Sequence, residues 1–314
     1  MKAIRLNRLS VALTAGVIVA SVATAAQAAW RLPTPGNQTQ ISQLVAQSTS
    51  IKTVPTNLLP PLISAGSDTT VAYYSVTANN CVGPTQCVFG RTTSPRSIFL
   101  IGDSHAQMWL PSLVPEASRL GLRIVLEWLP NCPIASVSVT NPATHTPYTA
   151  CTWFRATAIA NVKSMAPLLV LITDRTANVR DTSGALISDA AWQAGEKQTI
   201  NELKSSRTKV AVIGDITRFN LTLPDCLGVY RTDVQKCSVR NPNPTVHTHI
   251  AAERAAALAT GVTDFNPQPW LCQSICSPII GNMVAYYDTG HISATYAVYL
   301  SGVWGGVLKH ILTT

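Results

Sequence analysis

The chain has 314 residues, a formal net charge of +8, only 12% charged residues and eight cysteines. This length suffices for one large domain with a full core, or for one domain plus an extension. The positive charge is mild and forms no Lys/Arg-rich run interleaved with aromatic residues, so nucleic acid is not an expected partner.

Lys2, Arg5 and Arg8 give a basic start, and Val11 to Ala23 is an apolar stretch interrupted only by small residues. Ala26-Gln27-Ala28 then supplies an A-x-A exit. Together they predict a secretory signal over residues 1–28. An anchor that is never cleaved is the alternative. Without the three basic residues of this segment, which holds no acid, the charge of +8 becomes +5. No later segment offers about 18 uninterrupted apolar residues, so no transmembrane helix is expected. The nearest case, Ala294 to Leu312, carries Tyr296, Tyr299, Gly302, Gly305 and Lys309 and reads as a helix packed on a core.

Residues 29–95 are rich in Pro, Thr, Ser and Asn. Gln40 to Ser48 fits one helix, and Pro55, Pro60 and Pro61 break the next stretch. The segment reads as an N-terminal extension that wraps the main domain, or else as a flexible stalk. From residue 96 to 314 the pattern is that of a folded α/β domain. Apolar runs at Ser97–Ile101, Leu122–Leu129, Leu168–Thr173, Lys209–Gly214 and, more weakly, Gly261–Phe265 alternate with helix-compatible segments at 106–120, 153–164, 189–204 and 247–260. Strands of this kind between helices predict a flavodoxin-like, doubly wound α/β/α sandwich with about five parallel strands. Ligands of such sheets bind beyond the C-terminal strand ends.

Export exposes cysteines to an oxidising compartment, where disulfides are the default. Cys81, Cys87, Cys132, Cys151, Cys226, Cys237, Cys272 and Cys276 fall into sequence-local pairs. The expected bridges are 81–87, 132–151, 226–237 and 272–276, although eight cysteines allow 105 pairings. Zinc is the rival reading, through Cys272 and Cys276 with His247 and His249 nearby. It lacks a second closely spaced cysteine pair, so no metal and no cofactor are expected.

The first strand runs into Gly102-Asp103-Ser104-His105. A serine on a strand-to-helix turn has its hydroxyl at the mouth of the sheet and its N–H at the positive end of a helix, which suits a nucleophile. The same four residues also fit an ordinary loop with an N-capping side chain. Asp288-Thr289-Gly290-His291 precedes the last helix, and its Asp and His can face one site from a single loop. His105 adjoins the serine but points elsewhere. Gly214-Asp215-Ile216 has no serine and reads as a plain strand end. His247 and His249 read as solvated residues at a helix start with Thr248 as its cap. Trp109, Trp128, Trp153 and Trp270 are core residues or parts of a sugar platform.

Gly102-Asp103-Ser104-His105-Ala106 with Asp288-x-x-His291-Ile292-Ser293 resembles the SGNH (GDS-type) hydrolase superfamily. It is most similar to the extracytoplasmic SGNH domains fused to integral-membrane O-acyltransferases that modify envelope glycans. Pro224-Asp225-Cys226, Trp270-Leu271-Cys272 and Gly281-Asn282 fit that subgroup. The chain looks like a stand-alone exported version of such a domain. The resemblance implies Ser104 as nucleophile, His291 as base and then acid, and Asp288 as the orienting carboxylate. It also implies an oxyanion hole, for which Gly102, Asp103, Thr173 and Asn178 are the candidates. Here the pattern departs from the family: Thr173 to Asn178 lacks a Gly-x-Asn-Asp block, and Pro130-Asn131-Cys132-Pro133 lacks a glycine. The expected function is an exported, serine-dependent O-acyl esterase acting on acylated envelope carbohydrate. Transfer to a glycan hydroxyl is the alternative, with a membrane acyltransferase as possible partner. A non-catalytic glycan-binding protein on the same fold is the reading from another class.

Overall fold

The computed structural model describes residues 30–76, 81 and 87–313. The expected signal over residues 1–28 lies outside the described residues. Six strands form one sheet: β1 (Cys87–Gly90), β2 (Ser97–Gly102), β3 (Arg123–Trp128), β4 (Leu169–Thr173), β5 (Lys209–Ile213) and β6 (Thr263–Phe265). Their spatial order is β1-β3-β2-β4-β5-β6, with β1 antiparallel at one edge and every other pairing parallel. This is the doubly wound α/β arrangement expected from the sequence.

All residues of β2 and β4 are buried, which is why both read as continuous apolar runs. Successive side chains still point to opposite faces. Ile98, Leu100, Ile124, Leu126, Leu169 and Leu171 join one core, against the helices Leu110–Arg119 and Ala294–Thr313. Phe99, Ile101, Val125, Val170, Ile172 and Val212 join the other, against Thr149–Met165, Asp189–Leu203 and Ile250–Thr260. The expected helix over 106–120 is divided at Trp109 into Ser104–Met108 and Leu110–Arg119. Pro111 explains the break, because it has no N–H to donate and is favoured in a first helical turn.

The segment before residue 96 lies against the domain. Asn37 and Gln40 form a reciprocal capping box on the helix Gln38–Gln47. Leu59 donates its N–H to the Asn282 carbonyl, and its own carbonyl accepts from the Val284 N–H. Asp68 accepts from the N–H of Thr295 at 3.0 Å, capping the C-terminal helix. Residues 87–90 of this same segment supply β1. The four disulfides are Cys81–Cys87, Cys132–Cys151, Cys226–Cys237 and Cys272–Cys276. No helix among the described residues is long and apolar enough to cross a membrane.

Strand order reverses at β2, which has β3 on one side and β4 on the other. A crevice beyond the C-terminal end of such a strand is where open α/β sheets bind ligands.

Candidate active site

β2 ends at Gly102, which pairs with Thr173 of β4. Its φ is +152°, and a Cβ there would overlap the Thr173 carbonyl oxygen. Only glycine lets the two strands stay this close while the chain turns into the next helix. Asp103 caps that helix: its Oδ1 accepts from the His105 N–H at 2.8 Å. Ser104 is the first helical residue, so its own N–H has no intrahelical acceptor.

The partner loop comes from the far end of the chain. The Asp288 carboxylate accepts from the N–H of Gly290 at 2.7 Å and of His291 at 2.8 Å through Oδ1. Its Oδ2 lies 2.7 Å from Nδ1 of His291. One side chain therefore builds the turn and orients the imidazole. Nε2 of His291 lies 2.8 Å from Oγ of Ser104. With Nδ1–H donating to the carboxylate, Nε2 is left to accept the serine proton. Tyr287 stacks on the imidazole at 5.3 Å between ring centroids. Burial alone would raise the Asp288 carboxyl. The hydrogen bond and charge of His291, with the two N–H groups of the turn, outweigh it and hold the group down at about 2.

Beneath Ser104 lies a buried network of aspartates. Asp103 Oδ1 accepts from the Arg175 N–H as well as from His105. Asp174 accepts from the N–H of Asp103 at 3.1 Å and of Ile134 at 2.8 Å. Asp215 accepts from the Thr176 N–H and hydroxyl at 2.7 and 2.9 Å and lies 2.8 Å from Nδ1 of His105. The loops after β2, β3, β4 and β5 are thus tied together under one serine. Burial opposes the His105 cation, but Asp215 outweighs it and the imidazole is raised above its ordinary value. The His105 ring meets His291 edge-on at 5.0 Å.

The structure brings Ser104, Asp288 and His291 together. It places the remaining candidates differently. Asp103 is almost wholly buried, and both of its described partners are backbone groups. Thr173 is fully buried at the strand end. Asn178 is exposed, and its N–H donates to the His247 carbonyl at 3.0 Å. After β3, where the family's glycine has no counterpart, Asn131 takes φ +56°. That is the left-handed region glycine favours, and asparagine tolerates it better than most residues.

One histidine reading changes. His249 is not solvated: it is fully buried, stacks on Trp192 at 4.9 Å and bonds Asp189 at 2.7 Å. It is itself the N-cap residue of Ile250–Thr260, a place expected for Thr248. Zinc through Cys272 and Cys276 does not fit, because those two sulfurs are bonded to each other. Among the described residues, Asp189, His247 and His249 are the group whose donor atoms, within 4.8 Å of one another, suit a metal ion. Trp109, Trp128 and Trp270 are buried, whereas Trp153 is exposed. Arg175 and Arg218 were not singled out from the sequence, and Asp215 was read there as a plain strand end. The signal available was an acidic residue directly after an apolar run at Asp174 and Asp215, with an arginine one and three residues further on.

A doubly wound sheet carrying a serine after its first parallel strand, hydrogen-bonded to an Asp-x-x-His loop before the last helix, defines an SGNH-type serine esterase or O-acyltransferase. The sequence matches the SGNH domain family described as fused to AT3 domains over residues 72–305, and the chain belongs to that family. Among solved structures it is similar to the periplasmic domain of a lipopolysaccharide acetyltransferase from Salmonella ser. Paratyphi A. The identity is 18%, the match covers 68% of this chain and 84% of that one, and the TM-score is 0.53. It is also similar to a carbohydrate esterase family 2 enzyme with a carbohydrate-binding domain from Corynascus thermopiles (Myceliophthora fergusii). There the identity is 13%, with 70% and 67% of the two chains covered and a TM-score of 0.39. Comparison with curated proteins gives no match.

Proposed function

We propose that the chain is an exported O-acyl esterase that removes short acyl groups, such as acetyl, from cell-envelope carbohydrate, with Ser104 as its nucleophile. The observation that carries this reading is the continuous relay from Asp288 through His291 to Ser104, with contacts of 2.7 and 2.8 Å. Ser104 Oγ attacks the acyl carbonyl carbon as its proton passes to Nε2 of His291. The C–O bond to the sugar breaks, His291 returns the proton to the leaving oxygen, and the acyl group stays on Ser104. Water then gives its proton to His291 and attacks the acyl-enzyme, which releases the acid and restores the serine. Asp288 keeps the tautomer and stabilises the imidazolium. The Ser104 N–H at the helix start faces the oxygen on which negative charge develops.

Several features support the remaining parts. The solved neighbour is a domain of a lipopolysaccharide acetyltransferase, which favours carbohydrate as the substrate here. The family's fusion to AT3 domains favours a membrane acyltransferase as partner. Four disulfides favour an oxidising compartment outside the cytoplasm, in line with a removed signal over residues 1–28. Residues 29–95 then serve as the extension and 96–314 as the SGNH domain. Transfer uses the same residues, with a sugar hydroxyl in place of water.

The test is turnover of p-nitrophenyl acetate and of an O-acetylated glycan by the purified chain beside Ser104→Ala, with mass spectrometry of the peptide labelled by an organophosphonate. Serine-dependent release and a label on Ser104 are expected. Equal rates in the two proteins, or a label elsewhere, would overturn the reading. An acylated product formed when a glycan acceptor is added would assign transfer instead.

A further inference from the structure

Two arginines outside the relay stand beside it. Arg175 follows β4 and Arg218 follows β5, so both lie at the C-terminal edge of the sheet where Ser104 sits. The Arg175 N–H donates to Asp103, the residue before Ser104, at 3.1 Å. Arg218 is fixed by its neighbours: its carbonyl accepts from Nδ2 of Asn243 at 2.7 Å, and the Phe219 N–H donates to the Thr289 carbonyl at 2.7 Å. Its guanidinium reaches over the turn that carries His291. Nη1 lies 3.3 Å from the point where a side chain would begin at Gly290. A larger residue at 290 would displace it.

Both arginines are half-buried, and among the described residues neither has a carboxylate within 4 Å. Nε of Arg175 is buried with no hydrogen-bond partner among the described residues. The nearby carboxylates are engaged elsewhere: Asp103 and Asp174 by backbone N–H groups, Asp215 by Thr176 and His105, Asp288 by its own turn and His291. Burial lowers the Arg218 guanidinium from its ordinary value and the charge of Arg175 adds to this, only partly offset by the more distant charges of Asp288 and Asp215. A half-buried guanidinium with no carboxylate within 4 Å lacks the close partner that an anion would supply. Guanidinium forks bind carboxylate and phosphate oxygens in just this setting.

We infer that Arg175 and Arg218 form an anion subsite beside Ser104, which selects acyl esters whose sugar carries a carboxylate or phosphate group close to the acylated hydroxyl. This rests on Ser104 being the nucleophile. The anion anchors the sugar, and the neutral ester then falls in line with the serine. Carboxylate and phosphate share the chemistry of paired anionic oxygens, and esters that carry one or the other separate them.

The experiment compares kcat/KM of the purified chain on three esters: an O-acetylated neutral hexose, an O-acetylated uronic acid and an O-acetylated hexose phosphate. At least one anionic ester is expected to be preferred by about tenfold or more, the size of one charge-assisted hydrogen bond. Arg218→Gln and Arg175→Gln should each bring that ratio towards one, and Arg218→Lys should restore part of it. Arg207→Gln, on an exposed bend, serves as a control that keeps the ratio. A second measurement avoids turnover: calorimetric binding of the same anionic ester to Ser104→Ala, weakened about tenfold by adding Arg218→Gln. No anion preference together with no Arg218-dependent binding overturns the subsite. Arg218-dependent binding without serine-dependent turnover upholds the subsite and sinks the nucleophile assignment instead.

Discussion

The Asp215 carboxylate lies 2.8 Å from Nδ1 of His105, and both side chains are almost wholly buried directly behind the relay. Four donors converge on this carboxylate: the Thr176 N–H, the Thr176 hydroxyl, the Ile216 N–H and His105. An amide cannot replace it, because its NH2 would face one of those donors. Asp215→Asn is therefore expected to cost about 3 kcal/mol, as for other broken buried pairs. His105 is raised by the pairing, so its contribution is complete below the ordinary histidine range and fades as pH rises through its folded value. Asp215 is lowered by it, because His105 outweighs burial, so its share is lost only in acid. Urea denaturation from pH 4 to 9 checks both. A variant as stable as the parent at pH 6 would show the pair to be dispensable.

Asp288→Asn tests the relay without emptying the site. The amide can still accept from the turn N–H groups, but it no longer stabilises a cationic His291 and it disfavours the tautomer that leaves Nε2 free. A fall in kcat of about 10³–10⁴-fold is expected, with KM nearly unchanged. Held at about 2, the Asp288 carboxyl stays ionised at any pH where the enzyme is assayed. Steady-state kinetics check the prediction, and a KM that rises while kcat holds would contradict the role.

Gly102→Ala strikes the strand-to-helix turn itself. The added methyl overlaps the Thr173 carbonyl, and φ +152° is a conformation L-residues rarely adopt. Both effects push β2 and β4 apart under Ser104. A loss of about 3 kcal/mol or more is expected. Thermal melting checks it, beside Gly184→Ala, where φ is +84° but nothing lies within 4 Å. Equal shifts in the two would trace the cost to φ alone rather than to the strand contact.

The central strands and the relay were legible in the sequence for separate physical reasons. β2, β4 and β5 are buried on both faces, so their apolar runs are nearly unbroken. Asp288 and His291 lie on one turn, so their spacing carries the geometry. β1 was missed because its four residues are only half-buried and become a strand by pairing with β3. Asp215 looked like a strand end because its partner, His105, lies 110 residues away in sequence, and only the sheet order brings the two loops together. His249 looked solvated because polar residues at helix starts usually are. It is covered by Trp192 from another helix, a contact no local pattern encodes.

The acid buried under that second helix layer gives the last prediction. Glu196 accepts from the Trp192 indole at 2.9 Å, but its other oxygen is buried with no partner among the described residues. Burial outweighs the indole bond and raises the carboxyl from 4.5 to about 7. The folded state therefore holds a proton that the unfolded chain has already released between those two values. Stability through this group is greatest in acid and declines as pH climbs from 4.5 to about 7, opposite in sign to the usual paired carboxylate. Glu196→Gln cannot titrate, and it keeps an oxygen for Trp192 while burying an amide N–H without an acceptor at every pH. The parent should accordingly lose melting temperature more steeply between pH 5 and 8 than the variant, whatever their absolute order. Parallel melting curves over that range would mean that Glu196 is already ionised in the fold and that solvent or a counter-charge reaches it.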